Sequence, residues 1–298
     1  MKRLIIGGVL GAVAARAAYT ALTRRPPGRG GLDGEEVWGR TNHRGEPVTL
    51  LEGPAFVAGA AAAGLLTPGL GGRMRAATIL AGAGAGLLGG YDDLAGSASS
   101  RGFKGHLSAL ARGELTSGSV KILGIGGTGL VTAALARDPR HNLFDVVVNG
   151  AIVAGSANLM NLFDLRPGRA IKVGLLTGLP LATVPGSAAV VAAPLGAAVA
   201  LLPEDLGERA MLGDTGANAL GALLGLGVTR LGRGARLGVL AGLVGLNAAS
   251  EVVSFTKVIQ RTPPLHWLDM LGRRPVPTAT VPPQGVSPDS AQVTDPAK

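Results

Sequence analysis

The chain has 298 residues, of which 47% are hydrophobic and 16% charged, and its mean hydropathy of +0.36 is too high for an ordinary soluble protein. The absence of cysteine excludes a disulfide framework and a thiolate metal site. The net charge of +9 is compatible with a nucleic-acid partner, but no basic cluster alternates with aromatic residues that would stack on bases, so no nucleic acid is expected.

Apolar blocks separated by short polar stretches follow one another along the chain. Their lengths approach the ~20 residues that a helix needs to cross ~30 Å of hydrocarbon. They predict an all-α fold, a polytopic integral membrane helical bundle with about nine transmembrane helices. The blocks are roughly 3–23, 53–71, 74–91, 119–136, 143–160, 171–184, 187–202, 215–230 and 235–257. The first block resembles a signal peptide, but because eight others follow, a retained first helix is expected.

Nine spans place the connecting segments alternately on two faces. One face receives 18 of the 28 Lys and Arg residues, so the positive-inside rule predicts that it is cytoplasmic and that the N-terminus lies outside. The same face receives 17 of the 19 acidic residues, a bias that this rule does not produce. Carboxylates are therefore expected to have a task at the cytoplasmic face.

The sequence divides into three parts. Residues 1–262 are predicted to form the transmembrane domain, 263–274 a cytoplasmic loop that contains a histidine, and 275–298 a Pro-rich polar tail, which is predicted to be disordered. The sequence leaves the oligomeric state open, and a homodimer is compatible with it.

Four polar stretches lie where helices are predicted to meet the cytoplasm. They are GGYDDL (89–94), SANLMNLFD (156–164), MLGDTGANALG (211–221) and PPLHWLD (263–269). Ionisable groups at membrane depth are costly and usually face a bundle interior or a wet cavity. These stretches are therefore the candidate functional site, although polar residues that merely solvate helix ends are the simpler reading of any one of them.

Carboxylates from distant segments suggest a magnesium site. Mg²⁺ takes hard oxygen ligands, keeps several waters and bridges to substrate phosphates. Asp92, Asp93 and Asp214 are the candidate ligands. Because a metal and a diphosphate would both need neutralisation, phosphoryl transfer is the predicted reaction class.

Substrate-binding candidates surround these carboxylates. Asn158 and Asn161 are one helical turn apart, so both amides can face one cleft, with Asp164 beyond them. Further candidates that could bind phosphate oxygens are Lys104, Lys121 and His266.

Taken together, these segments resemble the polyprenyl-phosphate N-acetylhexosamine-1-phosphate transferase superfamily, which includes the phospho-MurNAc-pentapeptide translocase of peptidoglycan synthesis. The resemblance covers about residues 40–270 and follows the family order: RGEPVTLLEGP (44–54), Asp-Asp after helix three, an Asn-rich loop, MLGDTGANALG and a His-containing loop. MLGDTGANALG is its most specific part.

The resemblance implies a membrane enzyme of cell-wall glycan synthesis, in the plasma (inner) membrane. It would move a sugar 1-phosphate from a UDP-sugar to a polyprenyl phosphate at the cytoplasmic face, with Mg²⁺. Asp92 and Asp93 would be catalytic, Asp93 and Asp214 would bind the metal, and Asn161, Asp164 and Lys121 match binding residues of the family.

Two features depart from the family pattern. Where the family has D-G-x-D-G, this chain reads DLRPG, so Pro167 replaces the second Asp, which is tied to nucleotide-sugar recognition. The family's His cluster is reduced to His266. The metal and phosphate half of the site therefore resembles the family more closely than the nucleotide half does.

Two alternatives stay open at this point. A catalytically silent relative would bind the lipid carrier or a partner enzyme of envelope assembly. A transporter would use the acidic cluster as an ion site, although no clear repeat relates the two halves of the sequence.

Overall fold

The computed structural model describes residues 2–95, 108, 112–113 and 117–275. Apart from one short hairpin the described chain is helical, which confirms the all-α prediction. The helices are α1 (Lys2–Arg24), α2 (Gly34–Trp38), α3 (Glu52–Leu66), α4 (Gly72–Ile79), α5 (Ala85–Ala95), α6 (Ser117–Leu135), α7 (Leu143–Phe163), α8 (Arg169–Ala182), α9 (Ala188–Leu206), α10 (Gly213–Val228), α11 (Arg233–Ser250), α12 (Phe255–Arg261) and α13 (Pro263–Met270). A π-helical turn, Leu80–Gly84, joins α4 to α5.

Each of the nine predicted apolar blocks contains a helix. Within the described residues, four helices are long and apolar enough to cross a membrane: α1, α6, α7 and α9. A fifth candidate is the bent pair of α11 and α12, which meet at 96°. The apolar helices indicate a membrane protein, whereas α3, α8 and α10, of 15, 14 and 16 residues, are shorter than a standard span, so nine spans are not established.

Helix α10 lies at the centre of the bundle. Every residue from Thr215 to Val228 is buried, because α3, α5, α7, α8 and α9 all contact this helix. A helix that is apolar on all sides is expected in such a position. Small residues allow close contact with α7, since a Cβ on Gly221 would lie 2.2 Å from the backbone oxygen of Ser156 in that helix.

A two-stranded antiparallel hairpin, which the apolar pattern did not predict, precedes α3. Strands β1 (Gly39–Thr41) and β2 (Pro47–Thr49) pair with Arg40 opposite Val48. Thr49 also pairs with the segment before α10, because its N–H donates to Arg209 O (3.3 Å) and its carbonyl accepts from Met211 N (3.0 Å). The hairpin thus lies beside the start of the central helix.

The segment 263–274 was predicted as a loop, and this is wrong for its first part. Residues 263–270 form α13, because Pro263 and Pro264 suit the first helical positions, where no backbone N–H is needed. The Asp269 carboxylate of α13 accepts bonds from buried Arg169 in α8 (2.7 and 3.1 Å). Beyond α13, Arg44 of the hairpin loop donates to the carbonyls of Arg274 (2.9 Å) and Pro275 (2.8 Å). The predicted tail, from 276 onward, lies outside the described residues.

Candidate functional site

Four predicted site residues, each from a different helix, meet around one ammonium group. Lys121 Nζ of α6 donates to Asp92 Oδ2 of α5 at 3.1 Å and also to Asp214 Oδ2 of α10. In the orientation that satisfies its neighbours, the Asn161 amide of α7 donates to Asp214 Oδ1 (2.7 Å) and accepts from Lys121 Nζ (3.0 Å). We refer to Asp92, Lys121, Asn161 and Asp214 as the Lys121 junction. Stretches that are far apart in sequence therefore converge.

The Lys121 junction is sheltered but open to a ligand. The side chain of Lys121 is 11% exposed, and those of Asp92 and Asp214 are 27% and 25% exposed. Charges in such a partly desolvated place interact more strongly than they would in bulk water. The junction is therefore accessible to a ligand, although its single ammonium is already paired with two carboxylates.

The second aspartate of the pair, Asp93, holds the start of α10. Its Oδ1 accepts from the Asp214 N–H (3.0 Å), and its Oδ2 accepts from Thr215 N (2.9 Å) and Oγ1 (2.7 Å). No side chain of α10 itself caps this helix start. A carboxylate that accepts the free N–H groups of a first turn also complements the helix dipole. Asp93 thus positions Asp214 in this structure, and its predicted catalytic and metal-binding roles stay predictions.

The glycines before the aspartate pair allow α5 to approach α10. A Cβ on Gly89 would lie 2.1 Å from the backbone oxygen of Asp214, a distance that no side chain tolerates. Only a glycine lets the α5 backbone come this close, which brings Asp93 within reach of the α10 N-terminus. In the sequence GGYDDL, Gly89 therefore allows the close approach of α5 to α10, and Asp93 caps the start of α10.

We predict that Asp93→Ala will lower the stability of the bundle. The loss of an N-terminal cap typically costs about 1–2 kcal/mol, and here it also releases the segment that bears Asp214. Thermal unfolding in detergent measures the effect. Asp93→Asn keeps one acceptor oxygen and should recover part of the loss, while exposed Glu35→Ala serves as the control. Equal stability of Asp93→Ala and the control would contradict the capping role.

Asp164 lies at the end of α7, behind the Lys121 junction. One of its oxygens, Oδ2, is buried and has no hydrogen-bond partner among the described residues. Burial raises the pKa of the Asp164 carboxyl well above its ordinary value, and the nearby carboxylates of Asp205, Asp214 and Asp93 raise it further. In its neutral form this group is a hydrogen-bond donor, so it can face an anionic substrate without repelling it.

Asn158 does not join Asn161, and its neighbours are instead in α11. Its Nδ2 donates to Asn247 Oδ1 (2.6 Å), and Asn247 in turn donates to the Leu243 carbonyl (2.8 Å). The two asparagines of α7 therefore have different partners. Both nevertheless lie near one groove. The α7–α11 amide pair was not predicted, because spacing within α7 gives no information about α11.

A groove of about 780 Å³ begins at the Lys121 junction and runs between α6, α7 and α11. Its charged lining residues are Asp92, Lys121 and Glu251, and the Asn158–Asn247 pair also lines it. Most of the rest of its wall is apolar: Ile122, Ile125, Ala151, Ala154, Leu162, Leu240, Leu243, Val244 and Ala248. The groove is thus amphipathic, with its charge at one end.

The remaining predicted site residues are not at the junction. The side chain of His266 is exposed on α13 and makes no hydrogen bond or ion pair with the described residues. Lys104 lies outside the described residues.

Sequence reasoning also missed Arg40, whose Nη2 donates to the Asp93 carbonyl at 2.5 Å. Its position in a three-residue strand of the unpredicted hairpin gave no signal of this contact.

The oxygen atoms of the Lys121 junction are of the type that binds magnesium in proteins. The described residues include no group of three His, Cys, Asp or Glu side chains placed to hold a metal. However, two carboxylates and one amide oxygen already surround the Lys121 cation, and Mg²⁺ is usually held by only one or two carboxylates together with waters and substrate phosphates. Asp92, Asp214 and Asn161 are therefore the side chains that would hold it, at the place that the Lys121 ammonium takes in this structure.

Comparison with known proteins gives no further assignment. No family model matches the chain, and no curated protein is significantly similar to it. The site must therefore be interpreted from its own chemistry.

Proposed function

We propose that this protein is a Mg²⁺-dependent transferase that moves a sugar 1-phosphate from a nucleotide-sugar, in the first place a UDP-sugar, to a polyprenyl phosphate. The observation that carries the proposal is the Lys121 junction at the charged end of a long apolar groove. A membrane enzyme of cell-envelope glycan synthesis would need both features at one place. The resemblance in sequence points to the same reaction.

The groove suits a lipid that carries a phosphate. Its aliphatic wall can bury an isoprenoid chain, and burial of apolar surface contributes about 25 cal/mol per Å². Lys121 at its end offers an ammonium to the phosphate oxygens. Since the groove opens between helices, the chain can enter from the membrane while the phosphate stays at the helix ends.

In the proposed reaction, an oxygen of the lipid phosphate attacks the phosphorus that bears the sugar. The bridging phosphorus–oxygen bond of the donor breaks, and the nucleoside monophosphate leaves with the electron pair. Mg²⁺, when held by Asp92, Asp214 and Asn161, would neutralise the charge on the diphosphate. Lys121 orients the attacking phosphate, Asp92 and Asp214 fix the position of Lys121, and Asp93 fixes Asp214, so that the residues contribute placement and electrostatics.

The donor end of the site differs from the family pattern in a way that the fold explains. Gly168 adopts a left-handed conformation (φ 69°) at the N-cap of α8, and the next residue, Arg169, donates to Asp269. The DLRPG segment is thus a tight connection that anchors α13, with Pro167 where the family has an Asp. Nucleotide recognition must therefore use other groups, and the donor should be sought in a broad panel.

We further propose that the Lys121 junction faces the cytoplasm in the plasma membrane, with the N-terminus outside. This orientation rests on the Lys and Arg distribution along the sequence. Nucleotide-sugars are made in the cytoplasm, so a donor would reach the site from that side.

The test is a transfer assay with the purified full chain in detergent. Polyprenyl phosphate, Mg²⁺ and a panel of nucleotide-sugars are supplied, and release of the nucleoside monophosphate and formation of the lipid-linked sugar are measured. The expected result is release that requires both the lipid phosphate and the metal, and that stops with EDTA. If no donor turns over while polyprenyl phosphate still binds, the protein is a catalytically silent carrier-binding relative. If the lipid does not bind either, both readings fail.

A further inference from the structure

A second cluster of charged residues lies at the end of the bundle opposite the Lys121 junction. Asp92, Lys121 and Asp214 lie at the site ends of α5, α6 and α10. At the far ends of the same helical segments lie Arg73 at the start of α4, Arg137 after α6 and Arg230 after α10. At 1.5 Å per residue, helices of this length separate the two places by roughly 20–30 Å.

These three arginines line one hollow of about 390 Å³, which we call the arginine hollow. Its wall also includes Met74, Leu135, Ala136 and Pro139, the glycines Gly71 and Gly72, and one acid, Asp138. Asp138 does not neutralise the three, because Arg140 binds both of its oxygens (2.9 and 3.1 Å). The hollow therefore carries an excess of positive charge.

Each arginine of the hollow has donors to spare. Arg73 donates to Ala134 O (3.2 Å), Arg137 to His141 O (3.0 Å) and Arg230 to Ala136 O (3.4 Å). None of the three forms an ion pair with a described residue, whereas Arg233 and Arg236 at the same end both bind Asp145. A guanidinium has five N–H donors, so a bond to one backbone carbonyl leaves most of the donors of each arginine available to a ligand.

The backbone adds a further positive element. Helix α4 begins at Gly72 and no side chain caps it, and a Cβ on Gly71 or Gly72 would meet no atom within 4 Å. Gly71 and Gly72 are both exposed and line the hollow, so this helix start is accessible there. Helix starts of this kind attract anions through their free N–H groups and the helix dipole.

We propose that the arginine hollow binds a phosphate group. Phosphate matches the planar fork of arginine, and three guanidinium groups beside a helix start can share its oxygens. The phosphate can belong to an anionic phospholipid of that leaflet or to a free phosphate ion, and both present the same oxygens. This site is separate from the transferase reaction, so its test does not depend on the donor or the lipid carrier.

The experiment compares two double variants of the full chain. Arg73→Gln/Arg137→Gln removes two charges from the hollow and leaves half-buried Arg230 in place, whereas Arg3→Gln/Arg75→Gln removes two charges outside it. One arm titrates inorganic phosphate in detergent and follows the unfolding temperature. The other arm measures retention of phosphatidylglycerol against phosphatidylcholine by native mass spectrometry.

The wild type and the control should bind phosphate or retain phosphatidylglycerol, and the hollow variant should bind about tenfold or more weakly. If only inorganic phosphate binds, the ligand of the hollow is a free phosphate ion. If only phosphatidylglycerol is retained, the ligand is the phosphate of a lipid headgroup. If neither arm shows binding, or if both double variants lose it equally, the proposal is overturned.

Discussion

Replacing Asp214 with Asn should lower transfer by about a hundredfold to a thousandfold, the range observed when one preorganised electrostatic group is removed from an active site. The change keeps the size of the side chain and removes a charge to which Lys121 and Asn161 are both bound. Without that carboxylate the ammonium loses one of its two carboxylate partners, and the proposed metal would lose a ligand. The measurement is nucleoside monophosphate release at saturating donor.

A second readout separates metal binding from catalysis. Titration of the purified variant with Mn²⁺, followed by electron paramagnetic resonance, should show weaker binding than in the wild type. Asp138→Asn is the matched control, because Asp138 lies beside the arginine hollow at the other end of the bundle and should change neither readout. Wild-type turnover in Asp214→Asn would show that the Lys121 junction is not the reacting centre.

Asp269→Ala should strongly destabilise the bundle. The Asp269 carboxylate binds Arg169 (2.7 Å) and Arg273 (2.9 Å), and all three side chains are less than a tenth exposed. Removing it leaves two buried guanidinium groups without a counter-charge, for which a loss of about 3–5 kcal/mol is typical. Thermal unfolding in detergent would measure this loss.

The control for Asp269→Ala is Glu35→Ala, which removes an exposed carboxylate and should change stability little. The double variant Arg169→Met/Asp269→Leu removes both members of the closest pair and should recover part of the loss, since a buried pair is often replaceable by apolar groups. A loss below about 1 kcal/mol in Asp269→Ala, the range of an exposed pair, would show that the pair is solvated.

The sequence predicted much of the local structure, and the limits of that prediction are physical. Apolar blocks identify helices because every helix in a bundle must bury a face. Each of the nine predicted blocks accordingly contains a helix. Span counting was less certain, because the central helix α10 is apolar through contact with other helices, and its 16 residues need not reach across a membrane. Apolarity alone does not distinguish protein from lipid as the surrounding medium.

The site shows the same division. Residue type and helix-end position were sufficient to select Asp92, Lys121, Asn161 and Asp214, which do meet. The roles within the group depend on neighbours: Asp93, which is identical in type to Asp92, caps α10, because Gly89 lets α5 approach that helix start. Asn158 likewise depends on α11, which no spacing within α7 reveals.

The anchoring of Arg274 and Pro275 has a practical consequence. Arg44 holds both carbonyls and Glu46 binds the Arg274 side chain, while Arg40 of the same hairpin binds the end of α5 beside Asp93. The polypeptide therefore leaves the described fold close to the Lys121 junction. A fluorescent reporter or affinity tag attached soon after Pro275 would crowd the Lys121 junction, so fusions for activity work should be made at the N-terminus or through a long spacer.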